Sequence, residues 1–494
     1  MTLTRRQFLR RTSMATAGGL VAPSLFGDPF LKRAVAQTIG DRYFVSLLLS
    51  GGNDGLGTII PYDNGGGSLR TDYESVRRTD SGGIQLDAGP GSGTVEGLDQ
   101  AMPVNAFSDP NTGAQLSFHP GLQAFRDLYD VGDLAVIQAC GYPEPNLSHA
   151  VSTSVWETAD PLGTLAGSKG WAGRHLEAEY LPAEIPAVTI DSSVAGEFQQ
   201  SGTSVLAIER LSRFGFPYDG DYPGDDGAKQ AAFGALYAEA ASNGLGAAQF
   251  VGNAGVATAL AAQSYPQLHS DYQAERAAFD GMYDDKQLGG GTSTSRDLRE
   301  IAKIIYGTAK GVANVDARFF QLHNGGYDNH SNQGGGDPAG RHYRLHREVS
   351  AALEIFFDDL ADMAQGQSDG RQNLPDKVCV LIWSEFSRRI IQNDNGTDHG
   401  TQGPMFLIGG GVNGGVIGNH PNLDAVVLDD NGGNTPYSQT GAFRSTDFRD
   451  VYGTVLKHWL NVPQLTVESI LPADTIPDPA NYWTVRDFDL PLFL

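Results

Sequence analysis

The sequence predicts an α/β protein, a three-layer α/β/α sandwich about a mainly parallel central sheet, with a helical insertion. Three observations predict it. Short, continuously apolar runs recur along the 494 residues, as expected of strands covered on both faces. Segments of helical periodicity lie between them, and such alternation builds parallel sheets. Clusters of Asp, Glu, His, Asn and Gly follow the ends of the apolar runs, where open α/β sheets bind ligands.

The strand-like runs are 43–50, 134–139, 187–190, 318–323, 378–383 and 405–408. Helical patterning covers 122–129, 149–158, 296–306, 343–363 and 451–460. In 343–363 the apolar residues Leu345, Val349, Leu353, Phe356, Phe357 and Leu360 follow a period close to 3.6. Two stretches break the alternation. Residues 62–117 are rich in Gly, Asp, Ser and Asn and read as a long surface excursion. Residues 227–287 are Ala-rich and read as an inserted helical cap. The predicted organisation is a leader over 1–36 and one domain over 37–494.

The leader reads Thr4-Arg5-Arg6-Gln7-Phe8-Leu9-Arg10, then a stretch of small uncharged residues, then Ala34-Val35-Ala36. That order is a twin-arginine signal peptide with a small-x-small cleavage site. Its uncharged part falls short of the roughly 20 mainly apolar residues that span a bilayer. The sequence therefore predicts export through the twin-arginine translocase to the periplasm or beyond, with no stable membrane insertion. The leader holds six basic residues against one acidic, so removing it takes the net charge from −24 to −29. A surface so acidic repels nucleic acid and anionic lipid. The two cysteines, Cys140 and Cys379, sit in strand-like runs and read as buried small hydrophobes.

Five polar clusters carry candidate chemistry. Ser50-Gly51-Gly52-Asn53-Asp54-Gly55 follows the first strand, and Asp54 offers an oxygen to a cation, although Asn-Asp-Gly is also an ordinary turn. Ser148 and His149 open a helix. Ser148 is a good N-cap, and a hydroxyl there is also placed to attack an ester beside helix N–H groups, with His149 as a neighbouring base or a hydrogen-bond donor to phosphate. Asp328 and His330, two apart in Gly325-Gly326-Tyr327-Asp328-Asn329-His330, can converge on one metal ion. Glu385 leaves a buried strand where a carboxylate needs a partner, and a cation is a natural one. Asp398 and His399 form a compact pair between Thr397 and Gly400. Carboxylates and imidazoles gathered from several strand ends suit a binuclear metal hydrolase. His342 and His346, flanked by Arg341, Arg344 and Arg347, read as a solvated helix start or as supporting partners.

These motifs, in this order, resemble the bacterial, twin-arginine-exported "domain of unknown function 1501". The match rests on the Arg-Arg leader, Ser-Gly-Gly-Asn-Asp-Gly, Ser148-His149 with Trp156-Glu157, Gly-Gly-Tyr-Asp-Asn-His, Ser-Glu-Phe-Ser-Arg-Arg and Gly-Thr-Asp-His-Gly. That family is grouped with the alkaline phosphatase-like superfamily, which also holds sulfatases. The resemblance implies an alkaline phosphatase-like fold and one or two divalent metals, zinc or manganese, at the strand ends. It makes Asp54 the first-strand ligand, Ser148 the nucleophile, Asp328 and His330 a metal pair, and His399 the last metal-binding imidazole. Glu385 stands where the superfamily has Asp of Ser-Asp-His, and Phe386 replaces that imidazole. No Cys-x-Pro-x-Arg sulfatase signature is present. The expected activity is metal-dependent hydrolysis of a phosphate or related ester, on a small molecule or a glycan. The alternative is a non-catalytic exported binding or scaffold protein on the same fold. An oxidoreductase is disfavoured, because the Gly-Gly-Asn-Asp-Gly turn matches a dinucleotide fingerprint poorly.

Overall fold

The computed structural model describes residues 41–87, 101–142, 145–161, 169–181, 184–200, 202–215, 226–421, 423, 427–428, 434–435, 446–471 and 487–494. The predicted leader lies outside them. The central sheet runs, edge to edge, through Gly415–Ile417, Leu134–Gly141, Gly403–Ile408, Val378–Trp383, Tyr43–Ser50, Phe319–Gly325, Ala187–Thr189 and Val205–Ala207. A ninth strand, Thr446–Asp447, also pairs with Leu134–Gly141. Every pairing is parallel except the two made by Gly403–Ile408.

The apolar runs are continuous because both faces of the sheet are covered. Along Tyr43–Ser50, Tyr43, Val45, Leu47 and Leu49 pack into one core cluster, while Phe44 and Leu48 pack into another. The first cluster takes in the helices Ser293–Lys310 and Arg341–Ala364. The second takes in Trp171–Glu179 and Phe448–Thr454. This is the expected three-layer arrangement. Cys140 and Cys379 are buried and unbonded within it.

Helix ends follow their caps. The expected start at 296 moves to Ser293, because Thr292 accepts the Ser295 N–H and Ser295 answers with its own side chain. That helix stops at Gly311, whose φ of 73° suits glycine. The C-terminal helix starts earlier than expected, at Phe448, where Asp447 accepts the Arg449 N–H.

The described parts of 62–117 are more ordered than a surface excursion. They hold the helix Leu69–Val76 and two strands, Met102–Ser108 and Gln115–Phe118, which form a small antiparallel sheet with Ile59–Pro61. The strands are too short and too interrupted for their alternation to stand out in the sequence. The helical insertion consists of Asp226–Asn243, Ala247–Glu275 and Ala277–Met282. Arg276 anchors it to buried Asp359 at 2.6 Å. Among the described residues no helix is long and apolar enough to cross a membrane.

The sheet register decides where the polar clusters meet. Ser50 lies opposite Gly325, and Leu48 opposite Trp383, so the segments starting at 51, 326 and 384 leave the same edge side by side. The antiparallel strand begins at that edge, with Gly403 opposite Cys140. It therefore brings in the residues that precede it, including His399.

Candidate metal centre

Two glycines allow the first loop to sit tightly on its neighbours. A Cβ on Gly51 would lie 2.4 Å from the Asp328 backbone nitrogen, and one on Gly52 would lie 2.5 Å from the Phe386 ring. Both have positive φ, 119° and 83°, which glycine adopts without strain.

Around this contact the structure gathers His149, Asp328, His330 and His399. One ligand atom each from His149, Asp328 and His399 lies within 4.8 Å of the others. Asp328 Oδ1 is 3.1 Å from His399 Nε2, 3.1 Å from His330 Nε2 and 3.7 Å from His149 Nε2. His330 Nε2 is 3.0 Å from His399 Nε2.

The opposite ring nitrogens define the protonation of these histidines. His149 Nδ1 lies 2.8 Å from Glu385 Oε1, an oxygen that already accepts the Gly51 N–H. His330 Nδ1 lies 3.0 Å from Asp398 Oδ1, which also accepts from Asn393. His399 Nδ1 lies 2.8 Å from the Leu147 carbonyl oxygen. Each of these oxygens accepts, so each Nδ1 carries a proton, and in the neutral ring each Nε2 presents a lone pair. Three lone pairs then face one another and a carboxylate oxygen. Lone pairs at such distances repel unless a proton or a cation lies between them.

The donor set fits a cation. Imidazoles that bind a metal through one nitrogen commonly donate the other N–H to a carboxylate or a carbonyl, which holds the ring in place. Zinc bound tetrahedrally at roughly 2.0–2.1 Å sets its ligand atoms about 3.3 Å apart, close to the separations seen around Asp328 Oδ1. The side chains of His149, Asp328 and His330 are 40–46 % exposed, so a ligand can reach them from solvent.

Asp328 is ready as an anionic ligand. Partial burial works to raise its pKa. The hydrogen bond from Arg388, the adjoining His399 ring and the Arg388 charge outweigh that and bring it down to about 2. Burial lowers the pKa of His399, against its bond to the Leu147 carbonyl and the neighbouring Asp328 carboxylate. Arg388 itself is buried. Its guanidinium donates to Asp328 Oδ1 at 2.6 Å and to the carbonyls of Gly52, Thr397 and Tyr327. One cation thus ties together the three loops that carry the site.

The other expected positions differ in role. Glu385 and Asp398 orient His149 and His330, and Glu385 Oε1 and Asp398 Oδ1 are each shared between the ring and an N–H donor. His149, expected as a base, contributes its ring to the cluster. Ser148 is exposed at the helix start and makes no side-chain capping bond. Asp54 is not in the cluster. It is buried, and Arg77 donates to both its oxygens at 2.8 and 2.9 Å, while Gln333 donates to Oδ2 at 2.6 Å. Its countercharge is a side chain, so the expected first-strand metal ligand is a structural ion pair. Arg77 lies 23 residues on, in the stretch read as an excursion, and no spacing signalled the pairing. His342 and His346 are buried rather than solvated, against His119, with ring centroids 4.1–5.1 Å apart. The helix pattern had signalled this, because both lie in register with Val349 and Leu353.

Residues 270–435 match the family described as "Protein of unknown function (DUF1501)". That span contains Asp328, His330, Glu385 and His399 but not His149. Among solved structures, the chain is similar to a protein in the alkaline phosphatase superfamily from Vibrio parahaemolyticus. Identity is 11 %, the match covers 80 % of this chain and 67 % of that one, and the TM-score is 0.27. So low a score carries no argument about activity. No curated protein matches the chain.

Proposed function

We propose that this chain is an exported, metal-dependent hydrolase of phosphate or related esters, with one divalent cation held by His149, Asp328, His330 and His399. The observation that carries the reading is the convergence of three imidazole Nε2 atoms on Asp328 Oδ1, each ring fixed through Nδ1 by an oxygen acceptor. A divalent cation at such a site polarises an ester oxygen and makes bound water more acidic. Three nitrogen donors and one oxygen favour zinc over manganese, which prefers oxygen-rich sites.

The chain's own residues supply the rest. Glu385, Asp398 and the Leu147 carbonyl hold the Nδ1–H groups and aim the Nε2 atoms. Arg388 keeps Asp328 ionised. Ser148, exposed one residue before His149, is the candidate nucleophile for a small-molecule or glycan ester. Its position at a helix N-terminus suits a developing alkoxide. The twin-arginine leader directs the protein to the periplasm or outside the cell, and the translocase is its partner on that route.

The test is turnover of a phosphate-ester panel by zinc-loaded protein. Activity should disappear on chelation and in His330→Ala and His399→Ala. Persistence of turnover in both variants, folded, would refute the reading. A second reading, a binding protein on a hydrolase-like scaffold, is favoured by the engagement of Asp54 with Arg77, which leaves one cation position. Tight zinc binding with no ester turned over would support it.

A further inference from the structure

Between the buried Asp54–Arg77 pair and the solvent-facing cluster runs a chain of side-chain hydrogen bonds that the proposed chemistry does not use. Gln333 donates through Nε2 to Asp54 Oδ2 at 2.6 Å and accepts through Oε1 from the Thr397 hydroxyl at 2.7 Å. Gln333 is 1 % exposed and Thr397 fully buried. Thr397 is two residues before His399 and adjoins Asp398, which orients His330. Its N–H donates to the Asn329 carbonyl at 3.0 Å, between Asp328 and His330, and its carbonyl accepts from Arg388 at 3.0 Å.

We propose that Gln333 and Thr397 are positioning residues of the cation site, a strut that transfers the fixed location of Asp54 to the loop carrying Asp398 and His399. The inference rests on the cation reading above. Neither residue touches the cluster. Gly396–Asp398 is irregular; His399–Gly400 pairs as a two-residue antiparallel ladder with Ser387–Arg388, and main-chain bonds such as Thr397 N–H to Asn329 tie the segment to the Asp328–His330 turn. The strut adds a tie to Asp54, which lies four residues past a central strand, opens the short helix Gly55–Thr58 and is clamped by Arg77. Both of its bonds are shielded from water, so breaking one strands a polar atom. Ligand separations of about 3 Å tolerate little drift, and partners behind metal ligands are commonly worth 10–100-fold in metal affinity.

The experiment compares zinc affinity by calorimetry, and the visible spectrum of the cobalt-substituted protein, in wild type, Thr397→Val, Gln333→Met, the double variant and Thr397→Ser. Valine keeps the shape of threonine, methionine nearly that of glutamine, and serine restores the hydroxyl. Each of the first two variants should bind zinc about tenfold more weakly and shift the cobalt bands. The double variant should lose no more than the worse single one, because a strut is broken only once. Thr397→Ser should recover wild-type affinity. A merely structural role would lower the melting temperature and leave affinity and spectrum unchanged. Folded variants with wild-type affinity would overturn the strut alone. Wild-type protein that binds no zinc would overturn the cation reading and the strut with it. If Thr397→Val does not fold, Gln333→Met against wild type decides.

Discussion

Two groups of three imidazoles, each beside an aspartate, occupy this protein with opposite results. In one, His149, His330 and His399 point free nitrogens at Asp328 and stand open to solvent. In the other, His119, His342 and His346 pack edge-on or tilted against one another in the interior. His119 Nδ1 accepts the Gly121 N–H while its Nε2 donates to the Gly335 carbonyl, and His346 meets the Thr58 hydroxyl at 3.1 Å. The nearby aspartate, Asp54, is neutralised by Arg77. Composition does not separate the two groups. What separates them is where the remaining nitrogen points. In the first it faces other acceptors, a conflict that a cation resolves. In the second the ring nitrogens meet uncharged groups, and the rings pack as core.

The largest way to break this contrast is Arg77→Ala. It leaves the Asp54 carboxylate buried without a countercharge, which costs about 3–5 kcal/mol, read by urea denaturation. A loss below about 1 kcal/mol would mean that Asp54 finds another cation and belongs with the open group.

Acid should divide the groups next. Desolvation lowers the pKa of His119 and His346 well below the usual value, and that of His342 to about 4 despite the Asp54 charge. The unfolded chain then binds more protons than the folded one between pH 6.5 and about 4. The stability these rings contribute is whole above 6.5 and is lost as pH falls through that window. The slope should reach about 1.4 kcal/mol per pH unit for each buried ring, measured by denaturation at stepped pH. Asp328 acts later. Its lowered pKa contributes stability above its ordinary value near 3.8 that is lost only on falling toward 2. A flat profile between 6.5 and 4 would show that the interior rings are hydrated.

The smallest change sharpens the open group. Asp398→Asn keeps an acceptor oxygen near His330 Nδ1 but removes its charge. Zinc affinity should fall about tenfold by calorimetry, with little change in the stability of metal-free protein, because the Asp398 side chain is 48 % exposed. An unchanged affinity would remove His330 from the ligand set.

Much of the fold was legible because burial on both faces leaves a plain mark. All six apolar runs are strands, with ends displaced by a few residues where polar positions such as Asn324 and Gly403 continue the ladder. The small sheet within 62–117 was not legible, because its pairing is with Ile59–Pro61 and with itself at a distance. At the site, the sequence pointed to Asp328, His330 and His399, which the structure brings together, while the contacts of His149, Glu385, Asp398 and Asp54 were not recoverable. Glu385 and Asp398 are as good a pair of ligands as Asp328 until their oxygens are seen holding imidazole N–H groups.

By itself the sequence determined the layered architecture and the edge at which polar loops collect, since both follow from apolar periodicity and strand order. Which carboxylate faces a cluster of imidazole Nε2 atoms, which holds an imidazole N–H and which is cancelled by an arginine was decided only by the tertiary structure. Those roles depend on contacts between residues as far apart as His149 and Glu385, or Thr58 and His346. An ionisable group takes its function from the few ångströms around it, and no local pattern in the chain encodes that neighbourhood.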